Sequence, residues 1–410
     1  MSSSLWRDPD FIKLWVGQTV SEVGSHITGT GLPLIALLLA ATPEQMGLLS
    51  ALVALPVLLF GLFAGVWVDR LRRRPLMITA DIGRCLILLS VPAAALTGHL
   101  SFELLCAVAV LSGVLSLLFN TAYHAALPAL VERQRLLEAN TRLATTSAAA
   151  EIGGPPLAGV LVQVLSAPLA MVLDALSFLV SALSLLLIRK EEPAPLPREQ
   201  SQSVVTEIVE GLRVLWRQPI LRTLTLVAVM DNFFGSFFAV LYSLYVVRDL
   251  GQSAFTLGVL VGAGGVGALV GSLLVGRLRW RLGHTLIGGR LIGSALGLLS
   301  LMVTGNFAVV ALFLSQLIGD TAGSIYRVHE KSLQQGLVPD ALLGRANASV
   351  NFLTQGIMPL GALVAGALAG VLGARVTLLL AVCGFSLAAV VLWLSPVRHL
   401  RSMGEVAGSG

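Results

Sequence analysis

Charge is what this sequence has least of. Charged residues make up 12% of its 410 positions, against about a quarter in soluble globular chains, and that shortage excludes a water-facing coat. Apolar residues reach 56%, and the mean hydropathy is +0.87. Cysteine is scarce too: Cys85, Cys106 and Cys383 are odd in number and fall inside apolar runs, which argues against a disulfide framework. The phosphate-loop pattern is missing, because none of Lys13, Lys190 and Lys331 follows a glycine. No cluster with metal-ligand spacing appears, and no cofactor is called for. The chain therefore does not read as an enzyme. The first apolar run is too long for a cleavable leader and lacks a small-residue cleavage site, so it reads as a retained span.

What is present is a series of apolar segments of about 20 residues or more, the length that crosses about 30 Å of hydrocarbon as helix. Ten-residue alternation, the mark of membrane strands, is absent. The expected fold is an all-α integral membrane protein with twelve transmembrane helices in two six-helix, pseudo-symmetric halves. The spans fall near 13–40, 44–68, 75–97, 101–123, 136–165, 168–188, 220–247, 254–276, 284–304, 307–328, 342–372 and 374–395. Residues 1–188 form the N-terminal half and 220–410 the C-terminal half. The connection 189–219 begins Pro-rich and polar, then places Val205, Ile208, Val209, Leu212 and Trp216 on one helical stripe. That pattern predicts an amphipathic helix lying on the membrane or on the bundle.

The halves echo each other. LVERQRLLEAN at 130–140 matches LVPDALLGRAN at 337–347, and DRLR at 69–72 matches GRLR at 276–279, both at an offset of 207. A repeated six-helix unit is the sequence mark of a transporter whose halves rock about a central site.

Basic residues orient the chain. Of 27 Lys and Arg, only Arg248 and Arg375 fall beside the short connections, and the other 25 lie at the termini, in the opposite loops or at nearby helix ends. The positive-inside rule then puts both termini in the cytoplasm, with the chain multi-pass in the cell inner membrane. The same asymmetry accounts for the net charge of +5 without nucleic acid. The chain reads as a monomer whose partners are a small-molecule substrate, protons and the lipid bilayer.

Acids inside lipid-spanning helices are costly and usually functional. Glu22, Glu151, Asp231 and Asp320 lie deepest, and His26, one turn after Glu22, shares its helical face. These five are the candidate proton-coupling and cavity residues. Asp174 sits nearer the outer rim and reads as a helix-end acid. Asp81 precedes Arg84 by three residues, the spacing of a structural ion pair. Deep Arg and Lys are almost absent, which favours neutral or cationic cargo. The glycine-rich GAGGVG at 262–267 fits a dinucleotide pattern but sits within an apolar span, where close helix packing is the better reading. In GVWVDRLRRRP at 65–75 the basic residues suit a cytoplasmic loop. Asp69 is placed either to meet an arginine or a helix N-terminus as a latch, or to stand as a solvated loop acid. Gly153, Gly154, Pro155 and Pro156 predict a kink in the fifth span.

These stretches resemble known motifs. GVWVDRLRRRP resembles the loop signature of the major facilitator superfamily, which implies an inward-side gate built from Gly65, Asp69, Arg70, Arg73 and Arg74, with Asp81 and Arg84 in the following helix. GGPPLAG at 153–159 resembles that superfamily's antiporter-associated motif and implies a role for Gly153, Gly154, Pro155 and Gly159. LFNTAYHAALPALV at 118–131, DIGR at 81–84 and LDALSFLVSAL at 173–183 are similar to the bacterial branch of macrolide-efflux proteins and the enterobactin exporter. The usual glycine among the basic residues is replaced by the Leu71–Arg72 region, and Gly276 replaces the acid in the second copy, so one strong latch is expected. The resemblance implies a secondary active, proton-coupled exporter of amphiphilic small molecules working by alternating access. A facilitator or importer of a small polar nutrient, and a non-transporting membrane scaffold, are the competing readings. The topology has a direct check: cysteines placed at Thr42 and Asn306 should react with impermeant thiol reagents from outside, and one at Gln200 should not.

Overall fold

The computed structural model describes residues 5–69, 71–190, 192, 204–277, 282–305, 307–339 and 342–400. Among them are thirteen α-helices and no strand. In the first half these are α1 (Pro9–Leu38), α2 (Pro43–Asp69), α3 (Arg73–Thr97), α4 (Phe102–Leu130), α5 (Leu136–Leu165) and α6 (Ala167–Leu186). The connection supplies α7 (Val204–Arg217). The second half holds α8 (Pro219–Ser243), α9 (Ala254–Leu274), α10 (Leu282–Met302), α11 (Phe307–Leu337), α12 (Leu343–Leu372) and α13 (Ala374–Leu394).

Eleven of these helices are long and apolar enough to cross a membrane, which makes the chain a multi-pass membrane protein. Twelve spans were expected, and the helix that falls short is α1. It is 30 residues long, but Gln18, Ser21, Glu22, Ser25 and His26 cluster in its middle and lower its hydropathy. A helix this polar is stable among lipid-spanning neighbours only by turning those groups toward other helices. Its start is well defined: Asp8 accepts N–H bonds from Asp10 at 3.0 Å and Phe11 at 3.3 Å, with Pro9 at the first helical position.

The internal repeat is visible in the helices themselves. α5 and α12 are each 30 residues long and begin 207 positions apart, at Leu136 and Leu343. α6 and α13 also begin 207 apart, at Ala167 and Ala374. The joints ahead of α6 and α13 have the same backbone, φ 77° and ψ 155° at Ser166 and φ 82° and ψ 160° at Gly373. Glycine takes this left-handed conformation at little cost; Ser166 accepts the strain to keep the repeated turn.

By packing, the chain forms two compact units: residues 1–41, 52–199 and 251–262, and residues 42–51, 200–250 and 263–410. In the first, α1 lies against α6 and α5, while α3 packs on α4 and α6. Gly17, Gly24 and Gly31 recur every seven residues along α1, and the first two sit directly over Ser184 and over Ser177 and Asp174 of α6. A side chain at either position would collide with them, so glycine sets the α1–α6 distance. Phe11, Leu14, Met77 and Phe119 belong to the core at the basic end of this unit.

In the second unit α8 packs on α12 and α13, and α10 on α11 and α13. α7 docks on the bundle. Leu215 is buried with Leu221, Val338 and Ala346, Gly211 abuts the Arg345 backbone, and Glu210 pairs with Arg345. Val209 and Trp216 remain exposed. Gly267 of the glycine-rich run packs on the backbone of Leu317 in α11, and Gly271 one turn on packs on Thr321, so this stretch serves helix packing.

Asp10 ties the end of α6 to the start of α1. It receives the ammonium of Lys13 at 2.8 Å and the backbone N–H groups of Arg189 and Lys190 at 3.1 and 2.9 Å. Burial alone would raise its pKa, but Lys13 and these two amides outweigh burial and hold it below the ordinary carboxylate range. Its stabilising effect is therefore present above the unfolded-state value near ~4 and is lost as pH falls through the lower folded value. Asp10→Asn should lower the thermal midpoint of the purified protein at pH 7, and the gap to wild type should close as pH is brought below about 4.

Candidate functional site

The polar middle of α1 faces α5. Glu22 accepts a hydrogen bond from the Ser147 hydroxyl of α5, and both groups are half-buried. One turn on, the His26 ring lies against Gly154, where a β-carbon would stand 2.6 Å from the ring Cδ2. Glu22 and Glu151 are the acids whose charges act on His26, and the half-buried Tyr123 of α4 feels Glu22 as well. Toward the basic end, the Trp15 indole donates to Thr146 at 2.9 Å. Three of the five sequence candidates thus come together, with Ser147 and Tyr123 added by the fold. Glu151 is exposed, while Glu22 is held on a partner hydroxyl.

The remaining two candidates belong to the second unit. In the second unit Asp231 of α8 is paired with both guanidinium nitrogens of Arg290 from α10. Arg290 also lies 4.0 Å from the Tyr326 ring centroid, and Glu330 and Arg327 are within its electrostatic reach. Asp231 is therefore the anion of a half-buried ion pair. The expectation that deep cations are nearly absent is corrected by Arg290 and by Arg84, both of which are matched to acids. Asp320 of α11 lies over Gly264 of α9 and acts on the buried Tyr242 of α8.

The gate residues divide. The side-chain positions of Gly65, Asp69 and Arg70 lie outside the described residues, and the latch with them. Arg73 and Arg74 open α3 and bind within their own half. Arg73 donates to the Ala125 carbonyl of α4 at 2.8 Å. Arg74 reaches the Leu185 and Leu186 carbonyls at the end of α6, at 2.7 and 2.6 Å. Their backbone N–H groups are capped by the Glu192 carboxylate at 2.6 and 3.1 Å, a favourable place for an anion. Glu192 gave no sequence signal, since its partners are backbone groups some 120 positions earlier. Asp81 and Arg84 are not loop groups. They pair with each other, at 0% and 5% exposure inside the bundle. Asp174 is not a rim acid either: it is buried between α1 and α6.

In the GGPPLAG stretch, α5 continues through both prolines. Pro156 has no N–H to give the Ile152 carbonyl, and that carbonyl faces Gly262 of α9, 2.9 Å from a β-carbon position there. Gly258 sits against Pro155 and Pro156, and Gly159 against Ala254 and Phe255. This face of α5 is a helix-packing surface. Among the described residues no group of three or more His, Cys, Asp or Glu could hold a metal ion.

The Asp231–Arg290 pair makes a clear test. Arg290→Gln should lower thermal stability by stranding a half-buried carboxylate. The double variant Asp231→Asn/Arg290→Gln should recover most of that stability in a thermal unfolding assay.

The profile described as "transmembrane secretion effector" matches residues 3–408. The multidrug efflux pump Tap of Mycolicibacterium fortuitum is 28% identical, over 96% of this chain and 97% of its own. The enterobactin exporter EntS of Citrobacter koseri is 27% identical over 97% and 95%. The solved structure of a bacterial homologue of the human lysosomal transporter Spinster, inward-facing and occupied, superposes with a TM-score of 0.76 at 15% identity, over 96% of this chain and 97% of that one. A bacterial homologue of the iron transporter ferroportin gives 0.73 at 18% identity, over 95% and 99%. These two likenesses speak for the fold. The chain belongs to the transmembrane secretion effector family, within the major facilitator superfamily of membrane transporters.

Proposed function

We propose that this transporter is a proton-coupled exporter of amphiphilic small molecules, lying in the cell inner membrane with both termini in the cytoplasm. The observation that carries the reading is the α1–α5 cluster: Glu22 on the Ser147 hydroxyl, with His26 and Glu151 as its electrostatic companions. A carboxyl in the middle of a lipid-spanning bundle favours the neutral form when water is withdrawn and the charged form when water returns. Alternating access changes that hydration, so Glu22 loads a proton when the site faces outside and releases it when the site faces inside. Cargo entering from the inner side competes with that proton, which yields exchange. Two of the relatives are named as exporters, of drugs in one case and of enterobactin in the other, and this supports outward transport of amphiphiles.

Arg290 does not argue for anionic cargo, because Asp231 neutralises it. The acids of the α1–α5 cluster have no such cation among their described hydrogen-bond partners, which supports neutral or cationic cargo. We assign the packing of Gly154, Pro155 and Gly159 the role of holding α5 in register with His26 on one side and α9 on the other; Gly153 faces open space. Asp69 remains the proposed latch of the inner gate.

The test is Glu22→Gln, which mimics the protonated acid. In inverted vesicles, probed with a lipophilic cationic dye and separately with a catecholate siderophore, the variant should still bind cargo. It should fail to build the roughly tenfold accumulation that one pH unit sustains for a single exchanged proton. Accumulation at the wild-type level with an unaltered pH response would place the proton on another group.

A further inference from the structure

On the side of α1 away from α5, the first unit encloses a second set of charges. Asp81, Asp174 and Arg84 are 0%, 1% and 5% exposed, two carboxylates against one guanidinium. Arg84 is already committed: it binds Asp81 and lies over the rings of Phe119 and Phe178, 4.4 and 4.1 Å from their centroids. Asp174, by contrast, meets hydroxyls. Ser177 approaches one carboxyl oxygen at 2.9 Å, and Thr28 of α1 meets the other. The charged or titratable groups that act on Asp174 from the helices packed around it are Arg84, Asp81 and Cys85, all on α3. α1 brings Thr28 and the bare backbone of Gly24, and its His26 is turned to α5.

Two ionised acids here would leave one uncompensated negative charge inside a lipid-spanning bundle, the arrangement buried charges avoid. A second feature points the same way. Asp81 Oδ2 is buried without a well-formed hydrogen bond, the Ser181 hydroxyl being its neighbour besides Arg84, so this acid has little to spare for an extra charge. A bound proton removes the excess. Asp81 has the Arg84 guanidinium in contact, which favours its charged form, so the proton belongs on Asp174, which has no cation in contact and the Thr28 oxygen in reach. A threonine within a helix can pass its own hydrogen to the carbonyl one turn earlier, which frees that oxygen to accept.

We infer that Asp174 is a proton-binding site, at rest a carboxylic acid that donates its hydrogen to the Thr28 hydroxyl and clasps α6 to α1. On release the proton passes to water, Asp174 becomes a carboxylate, and the Thr28 hydroxyl turns round to donate. The clasp sits on the same helix as Glu22 and His26, on its opposite side, so proton occupancy at Asp174 bears on the helix that carries the proposed coupling cluster. The inference does not depend on Glu22 carrying a proton.

Infrared spectroscopy of the purified full-length protein in lipid nanodiscs at neutral pH, in light and heavy water, tests this. Wild type should show the carbonyl stretch of a protonated buried carboxyl, shifted by deuterium. Asp174→Asn should lack that band and keep the wild-type thermal midpoint, because the amide reproduces both the donor and the acceptor. Thr28→Val should keep the band and move it to higher frequency, since the acid hydrogen loses its acceptor. If Asp174→Asn does not fold, the wild-type band and its response to Thr28→Val decide alone. A band undiminished in Asp174→Asn, unmoved by Thr28→Val, present only when sodium is withdrawn, or abolished by Glu22→Gln would each overturn the assignment.

Discussion

A charge within a lipid-spanning bundle has to be matched, because hydrocarbon offers it no water. Most of the polar architecture follows from that constraint. Arg84 answers Asp81, Arg290 answers Asp231, and Arg345 answers Glu210 at the basic end. Where no cation stands in contact, hydroxyls do: Ser147 on Glu22, and Thr28 and Ser177 on Asp174. The two kinds of acid differ in chemistry. An acid in an ion pair is locked in its charged form, whereas an acid held by hydroxyls can gain or lose a proton with only a hydroxyl rotation.

Such contacts need helices closer than bulky side chains allow. Glycine supplies that closeness at specific points. Gly24 lets Asp174 and Ser177 approach the α1 backbone, Gly154 receives the His26 ring, and Gly264 receives the Asp320 carboxylate. In lipid no hydrophobic gain drives helices together, so contact area and interhelical hydrogen bonds must do it. The same small residues thus serve cohesion and chemistry. The Pro155–Pro156 face illustrates the point: the carbonyl freed by Pro156 turns to the bare backbone of Gly262 instead of breaking the helix.

Much of this architecture was legible in order of residues. The 207-residue offset read from two short matches reappears in the lengths of α5 and α12 and in the paired turns at Ser166 and Gly373. Helix positions were readable because hydrocarbon thickness fixes span length. The exception, α1, fell short in hydropathy for the reason that matters most: it carries the polar groups that other helices cover. The acids were conspicuous as residue types. Their partners were not, since Ser147 is 125 positions from Glu22 and Arg290 is 59 from Asp231. Asp174 was misread as a rim acid because depth along a helix says nothing about which face it occupies.

Local and near-periodic information, then, settled the membrane class, the spans, the repeat and the list of costly residues, because each depends on neighbours within a turn or a fixed period. Whether an acid ends in an ion pair, on a hydroxyl or in solvent was settled by helix–helix packing. That outcome depends on which faces meet across more than a hundred positions, and on glycines small enough to let them meet. Asp231 and Glu22 look alike in the chain as residue types, each an acid within a membrane-length helix. Arg290 pairs with the first, and the Ser147 hydroxyl donates to the second.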